Sequence, residues 1–207
     1  MGISFNRLGF GFSIASFIGF VVFSVYLLFT SDESFRAIVG LICAASVLAP
    51  RIIYKKTRLF NFLSAELLGV LELMLDLLLI FNGIGALGFY LEMQYYDMAL
   101  HLFSPLAVGI MLALMLESYL HRYTIQSIRI IQWFTITGTI TLVLFWEFWE
   151  SVGDMIFHTQ MSGQPGEPFD TLYDVLGGIA IMAVLYLFNR YLLAPSIRIL
   201  AVSKIQK

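Results

Sequence analysis

Residues 8–30 of the chain read LGFGFSIASFIGFVVFSVYLLFT, a run of 23 residues without a charged side chain. About 20 consecutive apolar residues are enough for a helix to cross the hydrocarbon core of a bilayer, so this run predicts a transmembrane helix. The whole chain has the same character: of its 207 residues 59% are hydrophobic and 13% are charged, and the mean hydropathy is +0.87. A soluble domain carries about 25% charged residues, so the composition excludes a soluble enzyme, a disordered chain and a nucleic-acid-binding protein.

Six apolar segments of this kind follow one another along the chain. They predict an all-α, polytopic transmembrane helical bundle that forms a single integral membrane domain over residues 1–207. The predicted spans are 8–30, 37–54, 62–86, 97–116, 130–154 and 171–193. Pro50 and Arg51 interrupt the second span after 13 apolar residues, which leaves open whether it crosses the membrane completely.

The basic residues predict the orientation. With six spans, 11 of the 12 Lys and Arg residues fall on one side of the membrane. These are Arg7, Arg51, Lys55, Lys56, Arg58, Arg122, Arg129, Arg190, Arg198, Lys204 and Lys207. Because Lys and Arg are enriched in cytoplasmic loops, both termini are expected on the cytoplasmic side of the membrane. The expected location is the inner membrane of the cell. The sole basic residue expected on the outer side is Arg36.

Acidic residues have the opposite distribution and recur at helical spacing. Residues four apart share a helix face, so each acidic pair or triple lies on one side of its span. These groups are Asp97 with His101, Glu147 with Glu150 and Asp154, Asp170 with Asp174, and Glu72 with Asp76. The first three groups lie at predicted outer helix ends, and the fourth lies at mid-membrane depth. Ionisable residues within spans normally face the bundle interior and mark function.

A set of carboxylates without basic neighbours needs bound cations, protons or water. Carboxylate oxygens with an added imidazole are suitable ligands for a divalent metal, and the sequence does not distinguish Zn, Mn, Mg and Fe. We expect five metal ligands: Asp97, His101, Glu147, Asp170 and Asp174. Glu150 or Asp154 is the expected catalytic base, and Glu72 and Asp76 would add a polar path. The alternative is a set of solvated helix ends, which explains Glu147, Glu150 and Asp154 poorly because the helix dipole disfavours acids at a C-terminus.

The same residues carry a resemblance to known families. The motifs are Tyr96-Asp97 with His101, Trp146-Glu147-Phe148-Trp149-Glu150, and Phe169-Asp170-Thr171-Leu172-Tyr173-Asp174 with Gly177-Gly178. Over about residues 60–190 the chain resembles the YjdF-like bacterial inner-membrane proteins and is more distantly similar to the VanZ-like family. The resemblance implies a small polytopic membrane protein with a His and carboxylate set on consecutive helices. It implies no established reaction.

These residues are compatible with two classes of function. The first is a metal-dependent hydrolase or transferase that acts on a lipid-linked small-molecule substrate at the outer side of the bilayer. The alternative is a proton- or cation-coupled transporter, or a non-catalytic membrane partner protein. A carrier needs polar groups through the whole membrane thickness, and the inner halves of spans four to six look nearly all apolar, which favours the first class. No nucleic-acid partner is expected, and the oligomeric state is left open.

Overall fold

The computed structural model describes residues 4–30, 34–85, 96–123, 128–157, 175–180 and 183. Five helices make up almost all of this part of the chain, and it contains no β-strand. They are α1 (Phe5–Thr30), α2 (Ser34–Lys56), α3 (Ala65–Ile84), α4 (Tyr96–Arg122) and α5 (Ile128–Phe157).

All five helices are long and apolar enough to cross a membrane. The prediction of an all-α, polytopic membrane protein is therefore confirmed, and the first five predicted spans each coincide with one helix. Helix α2 continues through Pro50 and Arg51 to Lys56, so these two residues do not end the second span. Most of the sixth predicted span, 171–193, lies outside the described residues. The part of this span that is described, residues 175–180 and 183, is helical. The orientation of the termini and the single domain over 1–207 stay predictions.

The described helices group into two compact units: α1, α2 and α3 form unit 1, and α4, α5 and residues 175–180 belong to unit 2. In unit 1 the buried face of α1 is rich in small residues, including Ser13, Ser16 and Ser24. Large apolar side chains such as Val22 and Phe29 are exposed on the other faces. Small residues towards the helix partner and large apolar ones outward are typical of a helix that packs closely within a bilayer.

Helices α1 and α3 approach most closely at two glycines. A β-carbon on Gly9 would lie 2.7 Å from the Cα of Gly69, and one on Gly69 would lie 2.7 Å from the Cα of Asn6. Further along the two helices, a β-carbon on Gly83 would contact the Phe20 ring. The order of these contacts shows that α1 and α3 run parallel, as expected for the first and third spans of an up-down-up series. Phe20 also packs with Ala44 and Val47 of α2 in an apolar cluster.

The starts of α1 and α3 are tied together by hydrogen bonds. Ser64 caps α3, since its hydroxyl accepts a hydrogen bond from the Leu67 N–H at 3.1 Å. Glu66, in the first turn of α3, accepts hydrogen bonds from the Ser4 hydroxyl at 2.9 Å and from the Asn6 N–H at 3.1 Å. An acidic side chain thereby satisfies one of the N–H groups that the first turn of α1 leaves without an intrahelical acceptor.

In unit 2 the helical residues 175–180 pack on α4 and α5 through two glycines. A β-carbon on Gly177 would lie 3.1 Å from the Leu102 side chain and 3.9 Å from the His101 carbonyl oxygen. One on Gly178 would contact Val143 and the ring of Pro105. This close packing at Gly177 and Gly178 lies beside the turn of α4 that carries His101.

Candidate functional site

The centre of the candidate site in unit 2 is His101, which lies between two carboxylates. Its Nε2 atom is 3.2 Å from Oδ1 of Asp97, one turn earlier on α4, and its Nδ1 atom is 4.0 Å from Oε1 of Glu147 on α5. The exposed fraction of the side chain falls from 33% at Asp97 to 17% at His101 and 8% at Glu147. The cluster is therefore partly exposed at Asp97 and buried at Glu147.

A second carboxylate of α5 belongs to the same cluster. Glu150 is 6% exposed and interacts electrostatically with His101, Glu147 and Asp97. The side chain of Trp146, one turn earlier, forms a hydrogen bond with it, and an indole N–H can only donate. Trp146 thereby fixes the position of this carboxylate.

Helical spacing and antiparallel packing explain why these residues meet. Asp97 and His101 are four residues apart in the first two turns of α4, so they share a face. Glu147 and Glu150 lie near the C-terminal end of α5, on the face that is buried in unit 2. A short connection between α4 and α5 makes the two helices antiparallel, which places the start of the first beside the end of the second.

His101 and Glu147 lie near, but not at, the separation of two ligands of one metal ion. Two ligand atoms that are each about 2.1 Å from a tetrahedral ion are about 3.4 Å apart. The 4.0 Å between Nδ1 and Oε1 is longer, so a shared ion requires a small movement of one side chain. Within the described part of the chain, however, no three His, Cys, Asp or Glu side chains are grouped closely enough to hold a metal ion by themselves.

The other predicted site residues have different positions. Asp154 is half-buried on α5, four residues after Glu150. Asp170 and Asp174, the two remaining predicted ligands, lie outside the described residues. Glu72 and Asp76, the predicted polar path, are both buried in α3 and belong to unit 1.

In unit 1 Glu72 forms a buried ion pair with Arg51. The Arg51 Nε atom donates to Oε1 of Glu72 at 2.7 Å, and its Nη2 atom donates to Oε2. Arg51 also donates from Nη1 to the Asn6 side-chain oxygen at 2.6 Å, and its guanidinium carbon lies 5.2 Å from the centre of the Phe10 ring. The pair is two-pronged and linked to all three helices, so its charges are well compensated within the membrane.

Asp76 lies one turn beyond Glu72 and has a different environment. Its side chain is fully buried, and Oδ2 accepts a hydrogen bond from the Ser13 hydroxyl of α1 at 2.7 Å. Oδ1 has no hydrogen-bond partner among the described residues. The i, i+4 spacing of Glu72 and Asp76 therefore correctly predicts a shared buried face, whereas the two side chains have unlike partners.

Sequence reasoning missed several polar partners. The charge pattern assigns Arg51 to a basic cytoplasmic segment, but the residue lies inside α2 and is 9% exposed. Its position two residues after a 13-residue apolar run was the available signal. Trp146 is the kind of residue expected at a membrane interface, and its i, i+4 spacing to Glu150 was the signal for its second role. Unit 2 also contains three buried hydroxyl side chains that do not belong to the cluster around His101. They are Ser118, Thr135 and Thr139.

Comparison with known proteins gives a family but no relative with a described activity. No curated protein and no solved structure matches the chain. The comparisons name neither YjdF-like nor VanZ-like proteins, so that resemblance stays a prediction. One family model, described as "Predicted membrane protein (DUF2238)", matches residues 12–191. Because this match covers most of the 207 residues and the helices are those of a polytopic membrane protein, the chain belongs to the DUF2238 family of membrane proteins.

Proposed function

We propose that the protein is a membrane-embedded, divalent-metal-dependent hydrolase or transferase whose site is the cluster around His101. The observation that carries the proposal is the position of His101 between Asp97 and Glu147. A histidine that binds a metal through one ring nitrogen usually has a carboxylate at the other, which fixes the tautomer and the ring orientation. Asp97 is placed for that second role, and Nδ1 then presents its lone pair towards Glu147.

The proposed metal ligands on the described helices are His101 and Glu147. The sequence predicts Asp170 and Asp174 as the ligands that complete the set. Imidazole together with carboxylates suits Zn, Mn and Fe, and a carboxylate-rich set also suits Mg. When bound, such an ion supplies Lewis-acid chemistry for attack on a phosphoryl or acyl centre.

Glu150 is the proposed proton acceptor of the reaction. It is nearly buried, it interacts with His101, and the Trp146 indole holds it in place. Asp154 is the second candidate for this role, since it lies one turn further towards the end of α5. Asp97, the most exposed member of the cluster, marks the side from which a substrate enters.

The proposed substrate is lipid-linked, with its reactive group at the level of the membrane surface. The cluster lies at the start of one membrane-length helix and near the end of another, where a lipid headgroup would reach it. The distribution of basic residues predicts that this end faces away from the cytoplasm. No Lys or Arg belongs to the described cluster, so a phosphate group would depend on the metal for charge compensation.

Metal binding by the purified protein tests the proposal. The protein is stripped with a chelator in detergent, dialysed against Zn²⁺, Mn²⁺ or Mg²⁺, and analysed for metal content and for melting temperature with and without metal. We expect wild type to retain metal and to melt at a higher temperature when loaded, because an ion that binds only the folded state stabilises it. His101→Ala and Glu147→Gln should lose both effects. His121→Ala, at the other end of α4, is the matched control.

Two further sets of variants separate the parts of the proposal. Asp170→Asn and Asp174→Asn should weaken metal retention if these residues complete the ligand set. Glu150→Gln should retain metal but lose hydrolysis of a lipid-linked phosphate ester. Equal metal content in wild type, His101→Ala and Glu147→Gln would refute the proposed site.

A further inference from the structure

We infer that unit 1 contains a proton-binding site at Asp76, in which the carboxyl group is held by Ser13 and carries an exchangeable proton. The site is formed by α1 and α3 of unit 1, whereas the proposed metal site belongs to unit 2.

The contacts of Asp76 leave one of its oxygens available. The side chain has no exposed surface, and the Ser13 hydroxyl donates to Oδ2. Oδ1 is buried and accepts no hydrogen bond from any described residue. A buried polar atom without a partner is rare in folded proteins and points to a group that completes it, such as a proton, an ion or water.

The charged side chains of the described residues do not compensate an ionised Asp76 carboxylate. On its own helix the nearest charged group along the buried face is Glu72, which is also acidic. The buried basic residue on the described part of α2 is Arg51, and its guanidinium is already paired with Glu72. From α1, Asp76 receives only the Ser13 hydroxyl, and the charged residue of that helix, Arg7, is exposed.

A proton satisfies this environment better than a metal ion does. An ionised carboxylate inside a membrane is costly unless it is paired, and protonation removes the charge. Oxygen-binding cations require several oxygen ligands. The described contacts of Asp76 supply a single hydroxyl, which already donates its hydrogen to Oδ2.

A series of hydrogen-bonded polar side chains leads from one end of unit 1 towards Asp76. It starts at Glu66, Ser4 and Asn6 and continues through Arg51 to Glu72. Asp76 lies one helical turn beyond Glu72 and about 15 Å along α3 from Glu66. Beyond this level α1 and α2 pack through the apolar cluster of Phe20, Ala44 and Val47, and the buried Ser24 hydroxyl is hydrogen-bonded to the Phe20 carbonyl. The charged residues of the series all lie on the other side, so we expect protons to reach Asp76 from the end that carries the N-terminus of α1.

Modification by a hydrophobic carbodiimide tests the site in the full-length protein. The reagent adds to a protonated carboxyl: the carboxyl oxygen bonds to the carbodiimide carbon, the proton moves to a carbodiimide nitrogen, and an acyl shift gives a stable N-acylurea. Peptide mass spectrometry should find the adduct on Asp76 and not on the ion-paired Glu72, with less adduct at alkaline pH. Asp76→Asn should lose the adduct, whereas Arg51→Met should make Glu72 reactive.

Infrared spectroscopy supplies a readout that does not depend on access of the reagent. Wild type should show a carboxylic-acid C=O band that shifts on exchange into D₂O and is absent from Asp76→Asn. A wild-type spectrum identical with that of Asp76→Asn would overturn the inference. Protection from the carbodiimide by Na⁺, without a carboxylic-acid band, would also overturn it and would identify a bound alkali cation instead.

Discussion

Gly9 of α1 and Gly69 of α3 bring two helix backbones into direct contact, and neither position has space for a β-carbon. We expect Gly9→Ala and Gly69→Ala to force α1 and α3 apart and to lower the melting temperature of the protein in detergent. Gly11 lies on the same helix as Gly9, and a β-carbon there would meet no other atom within 4 Å, so Gly11→Ala is the control. That substitution should raise stability by up to about 1 kcal/mol, since alanine is the better helix former. Equal melting temperatures for Gly9→Ala and Gly11→Ala would contradict the close contact.

The ion pair of Arg51 and Glu72 predicts that loss of one residue alone lowers the free energy of unfolding more than loss of both. Arg51→Met should destabilise the protein by about 3–5 kcal/mol, because it leaves the buried Glu72 carboxylate without its partner. The double variant Arg51→Met/Glu72→Met should regain most of this loss, since no unpaired charge remains. Chemical unfolding in mixed detergent micelles measures both free energies. A double variant as unstable as the sum of the two single variants would show that the residues do not act as a pair.

The hydrogen bonds of Glu66 predict a smaller effect at the start of α1. Glu66→Ala removes the acceptor for the Ser4 hydroxyl and the Asn6 N–H, and we expect a loss of about 0.5–2 kcal/mol, as for other helix caps. Hydrogen exchange of the first amides of α1 should accelerate in the variant. In a double-mutant cycle with Ser4→Ala, the two effects should be less than additive. Full additivity would argue against the hydrogen bond between these side chains.

Threonines on α5 provide a matched pair for testing buried hydroxyls. Thr141 is exposed, and its hydroxyl donates to the Thr137 carbonyl at 2.8 Å. Thr139 is 1% exposed, and its hydroxyl has no hydrogen-bond partner in the described part of the chain. We expect Thr139→Val to leave the melting temperature unchanged or to raise it, because no hydrogen bond is lost and a buried polar atom is removed. If Thr139→Val instead lowers the melting temperature more than Thr141→Val does, an ordered water or ligand contacts this hydroxyl.

The predicted orientation is open to a direct test with reporter fusions. A reporter that is active only in the periplasm should be silent when fused after Lys56 and active when fused after Asp32. The physical reason is the accumulation of Lys and Arg in the segments that follow the second and fourth spans. An active fusion after Lys56 would reverse the topology and place the cluster around His101 on the cytoplasmic side.

The helices were predictable from the sequence because each consists of an apolar run long enough to cross a bilayer. Asp97 and His101 were predictable as neighbours for a similar reason, since four residues of helix return a side chain to the same face. Their meeting with Glu147 follows from the antiparallel packing of consecutive helices. In these cases a local pattern along the chain is sufficient to predict the helix or the neighbouring residue.

Partners on other helices were not predictable in the same way. Helical spacing indicates the face that a residue occupies, but not which residue of a neighbouring helix lies opposite. Arg51 therefore looks in the sequence like one more basic residue near the cytoplasm, whereas its side chain pairs with Glu72 and Asn6. Likewise, nothing in the sequence distinguishes Ser13, which binds Asp76, from Ser24, whose hydroxyl donates to its own helix at the Phe20 carbonyl.

The sequence separation of Arg51 and Glu72 has a consequence for biogenesis. The two residues are 21 positions apart on consecutive helices, so Arg51 emerges from the ribosome before its partner Glu72 does. An arginine at the centre of a lone helix opposes insertion by about 2.5–3.5 kcal/mol, and the cost for Arg51 is smaller because it lies five residues before the end of α2. We therefore expect the translocon to retain α2 until α3 emerges and to release the two into the bilayer together as a hairpin.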